Sequence, residues 1–332
     1  LSTIHRAGRV ISAIIVMSLA AAFIAACGSS NGASSNANTI VVGVPRNFGY
    51  LSTLWARNIQ PAGVHVEYKY FPVFTDMLTA LNSGKIDFTE IGDVGAVQSY
   101  VNGGTVRAVA VTQPNSANCG LIVPKGSPAK TFADLKGKKI IFLKSTNSYI
   151  MFLHQLKQAG LKESDFDIVQ IAGPAANKAF QSGQVAGYYT IDPNLSDILE
   201  QTGGRLIANC AQENVQNLYP YVATDAAIKS KPKAIAALVQ AIADNIAWIQ
   251  ANPKQQAALV APKLGFSPTA IETTYARGAK GLLNIDQSFY TSEQAVVSEL
   301  VNAKIVAHAV DVKQVFLPTF NADITPSSTA TQ

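Results

Sequence analysis

The chain has 332 residues, 48% hydrophobic, 14% charged and 8% aromatic, which is too apolar for a disordered regulator and too mixed for a multispan membrane protein. That length admits two domains of ordinary size or one domain in two lobes. The formal charge of +5 suggests a nucleic-acid binder only until the charges are placed. Arg6 and Arg9 lie in a leader without acidic residues; from Cys27 onward 24 basic residues face 21 acidic ones, and no basic block remains to track a phosphate backbone.

In chain order the leader comes first. His5, Arg6 and Arg9 precede an apolar run over residues 10–26 whose only polar side chains are Ser12 and Ser18. A charged start, an apolar stretch and small residues before a break describe an export signal. The other reading is an anchor helix, but 17 residues span roughly 26 Å, short of a ~30 Å hydrocarbon core. Ile24-Ala25-Ala26-Cys27 resembles the bacterial lipoprotein signal box. This resemblance implies that residues 1–27 are a lipoprotein signal peptide with Cys27 lipidated, the protein being held outside the cytoplasm on a membrane. Residues 28–38 contain no apolar side chain larger than alanine and read as a flexible tether.

From Thr39 the chain alternates β-branched runs with amphipathic segments. Strands are predicted over 39–44, 65–71, 86–91, 106–112, 119–123, 139–143, 167–171, 185–190, 205–209 and 219–224, with helices between most of them. This is an α/β pattern with mainly parallel sheets. The last hundred residues read as all-helical. Ile235, Leu238, Val239, Ile242, Ile246 and Ile249 form a helix stripe closed before Pro253, Ser267-Pro268 opens another helix, and Thr291 with Gln294 reads as a capping box. Cys119 and Cys210 are free to pair in an oxidising compartment, closing a loop of about 91 residues, or to stay as buried thiols; spacing alone leaves both open. No CxxC occurs and the four histidines are scattered, so neither a metal nor a redox cofactor is expected.

Four segments end a strand and begin a turn or helix, where backbone N–H groups are unspent: 45–50 (Pro-Arg-Asn-Phe-Gly-Tyr), 92–95 (Gly-Asp-Val-Gly), 145–149 (Ser-Thr-Asn-Ser-Tyr) and 191–194 (Ile-Asp-Pro-Asn). Helix N-termini at the carboxyl ends of strands favour anions, although Ser, Thr, Asn and Asp also serve there as plain N-caps.

Residues 80–88 (Ala-Leu-Asn-Ser-Gly-Lys-Ile-Asp-Phe) running into Gly92, 131–138 (Thr-Phe-Ala-Asp-Leu-Lys-Gly-Lys), 179–187 and Asp192-Pro193 together resemble, in order, the substrate-binding proteins of ABC importers for taurine, alkanesulfonates and nitrate. The resemblance covers about residues 39–302. It implies the type II periplasmic-binding fold: two α/β lobes, two crossover segments, a helical C-terminal tail on the first lobe and a ligand cleft between lobes. Lobe one would comprise 39–117 plus 222–325 and lobe two 118–221. It further implies a monomer that takes a small organic anion, taurine or another aliphatic sulfonate before nitrate, bicarbonate or a thiamine-precursor pyrimidine, and delivers it to an ABC permease and its ATPase. The chain departs from the family where Ile191 replaces Trp before Asp-Pro, so an aromatic wall is absent or moved to Tyr188 or Tyr189.

On this reading Arg46 supplies a fixed charge. Asn47, Gly92, Ser145, Thr146, Asn147 and Ser148 bind anion oxygens, while Phe48, Phe71 and Tyr189 wall the apolar stem. Asp93 and Asp192 would pair with the amine of a zwitterion; their alternative roles are an N-cap and a hinge salt bridge. An enzyme on the same fold is the competing class, but no catalytic triad or carboxylate pair stands out in the sequence.

Overall fold

The computed structural model describes residues 37–46 and 49–324; the expected signal peptide with Cys27, the first part of the tether, and Asn47 and Phe48 lie outside them. The chain first lays down β1 (Thr39–Pro45), α1 (Leu51–Arg57), β2 (His65–Phe71), α2 (Phe74–Asn82), β3 (Phe88–Glu90), α3 (Asp93–Val101) and β4 (Val106–Thr112). It then builds β5 (Cys119–Val123), β6 (Lys139–Ile141), α4 (Asn147–Ala159), β7 (Asp167–Val169), α5 (Gly173–Gln181), β8 (Gly187–Ile191), α6 (Asn194–Thr202) and β9 (Arg205–Asn209). The return segment holds β10 (Pro220–Thr224), α7 (Asp225–Ser230), α8 (Pro232–Ala251), α9 (Pro253–Leu264), α10 (Pro268–Ala276), β11 (Leu282–Leu283) and α11 (Gln287–Asn302).

Two sheets result, ordered β11-β4-β10-β3-β1-β2 and β7-β6-β8-β5-β9. Each is the centre of one α/β lobe. The expectation of mainly parallel sheets needs correction. β1 pairs in parallel with β2 and β3, and β6 with β7 and β8, but β10 runs antiparallel to β3 and β4, and β5 antiparallel to β8 and β9. The reason is topological. β5 and β10 are the first strands laid down after the chain changes sheets, and each enters its new sheet against the direction of its neighbours. Pro220 and Tyr221, expected in the second lobe, pair with β4 and β3 in the first sheet.

The first lobe is held by α8, whose Ile235, Leu238, Val239, Ile242, Ile246 and Ile249 are all buried against Ile40, Val42, Phe88 and Tyr221. Each such aliphatic side chain contributes roughly 2 kcal/mol of transfer free energy. α8 is long and apolar enough to cross a bilayer, but its apolar face is spent on this core.

The tail is less uniform than its sequence suggested. β11 adds a short antiparallel strand to β4, and Phe316 bridges Ala108. The stripe does close before Pro253, α8 ending at Ala251, and Pro253 then opens α9 in its first turn, where its missing N–H has no helical partner to lose. Thr291 is inside α11, its hydroxyl donating to the Gln287 carbonyl at 2.8 Å. The cap is Asp286, whose carboxylate accepts from Phe289 N at 3.0 Å. Ser267 does cap α10, accepting from Ala270 N at 2.9 Å.

Candidate functional site

Where the lobes face each other, a cavity of about 160 Å³ is lined from the first lobe by Phe74, Gly92, Val94 and Gly95, from the second by residues of the 142–148, 171–173 and 188–194 segments, and from the return segment by Asn217 and Tyr219. It shares Phe74, Gly95, Leu143, Ser145, Ala172 and Gly173 with a wider outer cavity of about 1040 Å³. Phe74, Val94, Phe142, Leu143, Ile171 and Ile191 give the inner cavity an apolar side.

The polar side is made by backbone. Gly92, Thr146 and Ala172 are the extended N-cap residues of α3, α4 and α5, so the N-termini of these helices open on the cavity with their positive dipole ends. The segments fold this way because each follows a short strand and begins with residues that favour caps, Gly-Asp, Thr-Asn or Gly-Pro. Asp93 N donates to Leu218 O at 3.3 Å and Val94 N to the Asp93 side chain at 2.9 Å. Among the described residues no protein acceptor takes the N–H groups of Gly95, Asn147 or Ser148. All three line the cavity. The N-terminus of α6 is different, because Asp192 accepts from Ser196 N at 2.9 Å and from Ser196 Oγ at 2.7 Å.

Of the residues expected in the site, Gly92, Ser145, Thr146, Asn147, Ser148 and Tyr189 line the inner cavity, with Tyr188 beside them. Arg46 lines the outer cavity, and its guanidinium lies 4.5 Å from the Phe266 ring centroid. Phe71 packs on the core and lines neither space.

Neither aspartate lines the inner cavity. Asp93 is buried and accepts from Asn147 Nδ2 across the lobes; burial pushes its carboxyl up to about 6 against the pull of that bond and of backbone N–H groups. Asp192 is buried and held by Arg277, Nε to Oδ2 at 2.7 Å and Nη2 to Oδ1 at 2.9 Å. It therefore occupies the salt-bridge role that was its alternative. Arg277 gave no signal in the sequence, being 85 positions from its partner. Asn194 and Thr190, which line the cavity, were missed as ligand contacts, although Asn194 closes the 191–194 turn.

Further bonds cross the lobes. Ser267 N donates to Asp197 Oδ1 at 3.3 Å and its hydroxyl to Glu200. His154 Nε2 meets Glu299 Oε2 at 3.0 Å. Beneath the site, Cys119 and Cys210 form a disulfide with Cα atoms 5.4 Å apart. It ties the first residue of β5 to the end of β9, where Cys210 N also donates to Cys119 O at 3.0 Å.

A two-lobed α/β receptor with donor-lined helix ends facing an interlobe cavity is the class these features define. The family description "NMT1/THI5 like" matches residues 60–256, and the chain belongs to that family. A protein of Escherichia coli (strain K12) named as an aliphatic sulfonates-binding protein is 28% identical over 251 residues, 75% of this chain and 78% of its own length. The solved structure of the periplasmic aliphatic sulphonate binding protein SsuA from Escherichia coli superposes with a TM-score of 0.76 at 24% identity, covering 84% of this chain and 91% of that one. The desulfurization enzyme DSZB shares the fold at a TM-score of 0.65 and 15% identity, covering 86% of this chain and 98% of its own. The two solved structures, at 24% and 15% identity, speak for fold alone.

Proposed function

We propose that the chain is an extracytoplasmic solute receptor that captures a small organic anion, an aliphatic sulfonate before nitrate, bicarbonate or a thiamine-precursor pyrimidine, and presents it to an ABC permease and its ATPase. The observation that carries this reading is the set of unspent N–H donors of Gly95, Asn147 and Ser148 on the inner cavity. A buried donor without a partner costs about 1–3 kcal/mol, and sulfonate oxygens relieve several donors at once. Hydroxyls of Ser145 and Ser148 add to them, while that of Thr146 is spent on the Leu143 carbonyl at 2.8 Å. The apolar side of the cavity receives the aliphatic stem. Closing the lobes over the anion then gives the closed state the differential affinity that drives the change.

Binding rather than catalysis is supported by the lining, which offers amides, hydroxyls and apolar groups but no carboxylate, imidazole, thiol or amine among the described residues. The sulfonate-binding name of the Escherichia coli relative points the same way. The disulfide fits an oxidising compartment, and a lipid on Cys27 with the 28–38 tether would keep the receptor, a monomer, beside its permease.

A thermal-unfolding panel of ethanesulfonate, taurine, nitrate, bicarbonate and a hydroxymethylpyrimidine tests the reading. At about 100 times Kd a true ligand stabilises the protein by about 2.7 kcal/mol, so the melting temperature rises for a sulfonate. A rise with the pyrimidine alone, or with none of the panel, refutes it.

A further inference from the structure

The inner cavity has no side-chain carboxylate to offer a ligand. All 21 Asp and Glu residues lie among the described residues, and none lines it. Asp93 is committed to Asn147 and Val94 N, Asp192 to Arg277 and Ser196. An ammonium entering this space finds no carboxylate in its lining to pair with, and burying a charge without a contacting partner is costly.

The second-lobe wall instead carries neutral acceptors. Asn194 Nδ2 lies 2.9 Å from Thr190 Oγ1, 3.0 Å from Asn177 Oδ1 and 3.2 Å from Tyr188 OH, while Asn177 Nδ2 donates to Asn194 Oδ1 at 2.6 Å. The Tyr188 hydroxyl also donates to Asn177 Oδ1 at 3.2 Å, so three protons face three acceptor oxygens of two lone pairs each; the group has acceptor capacity to spare, and the Thr190 hydroxyl can rotate to suit a guest. The helix ends of α3 and α4 have the opposite need, N–H groups without acceptors. The cavity thus has a donor side and an acceptor side.

Resting on the sulfonate reading, we infer that this receptor selects short aliphatic sulfonates whose tail ends in a neutral hydroxyl, with Thr190 and Asn194 as the residues that read the tail, and that it discriminates against the ammonium of taurine. The sulfonate goes to the free N–H groups and the hydroxyl donates to the Thr190–Asn194–Tyr188 group.

Calorimetric titration of the full chain with three near-isosteric ligands, 2-hydroxyethanesulfonate, 1-propanesulfonate and 2-aminoethanesulfonate, tests this. The hydroxyl compound binds at least tenfold more tightly than the amine and several-fold more tightly than the alkane. Thr190→Val brings the hydroxyl compound down to the affinity that 1-propanesulfonate has for the same variant, and thermal unfolding of that variant reports whether it is folded. Asn194→Asp shifts the order toward the amine. If the amine binds wild type as tightly as the hydroxyl compound, or Thr190→Val leaves their ratios unchanged, the inference falls while the sulfonate reading stands. If no member of the series binds and nitrate or the pyrimidine does, both fall.

Discussion

Glu90 at the end of β3 is fully buried, and its carboxylate accepts from Tyr50 N at 3.0 Å, so it pins the chain just after the 45–50 segment. Burial dominates over these bonds and pushes its carboxyl up to about 8 from an ordinary 4.5. The folded protein therefore holds a proton that the unfolded chain has lost between those values. Stability from Glu90 is fully present below pH 4.5 and declines as pH rises to about 8, by about 5 kcal/mol. Urea unfolding between pH 5 and pH 9 checks this, with Glu90→Gln flattening the decline. The same site shows why one glycine is required. Gly49 has φ +97°, and a Cβ there would fall 0.7 Å from Glu90 Oε1. The sequence marked Gly49 as part of a turn, but its conflict with Glu90 depends on two strands lying side by side.

Among the elements, β5 and β9 carry the disulfide across a 91-residue separation. Closing a loop of that length removes entropy from the unfolded chain worth about 4 kcal/mol in the chain-entropy model. Paired Cys119→Ser and Cys210→Ser replacements are expected to lower unfolding free energy by about 2–5 kcal/mol, and reductant should shift the wild type but not the double variant. The helices and strands themselves were largely legible, since 65–71, 106–112, 119–123 and 205–209 were marked by β-branched runs between turn signals. Thr291 misled because a Thr-x-x-Gln spacing is equally compatible with an exposed face inside a helix, and only the chain direction at Asp286 decides where α11 starts.

At the scale of the whole molecule, the lobes are joined by more than the crossovers. Arg277 from the tail of the first lobe and Asp192 from the second form a two-point pair in which the Asp192 side chain is fully buried and that of Arg277 is 26% exposed. Removing the arginine leaves a buried carboxylate uncompensated, at about 3–5 kcal/mol. Arg277→Ala is expected to lower stability by that order and to weaken ligand affinity through loss of the closed state, whereas adding Asp192→Asn recovers part of the stability. Chemical unfolding and calorimetry on the two variants measure both effects. His154 works in the same direction. Its hydrogen bond to Glu299, with the Glu213 carbonyl on the other ring nitrogen, holds its pKa above the ordinary 6.5. The stabilisation that the charged ring adds across the lobes is fully present below pH 6.5 and is lost as pH rises through the raised value.

By itself the sequence determined the α/β class, the strand and helix order, and the turns at 92–95 and 145–148 where helix ends can hold an anion, because those signals are local: side-chain periodicity and capping chemistry within a few residues. Only the tertiary structure decided which polar groups remain available. Asp93 and Asp192 look like ligands in one dimension, and in three dimensions they are spent on Asn147 and on Arg277. Asn194 passed as a turn residue and emerges in the wall of the cavity. Whether a donor or acceptor is free depends on what the other lobe brings within 3 Å, and no spacing along the chain records that.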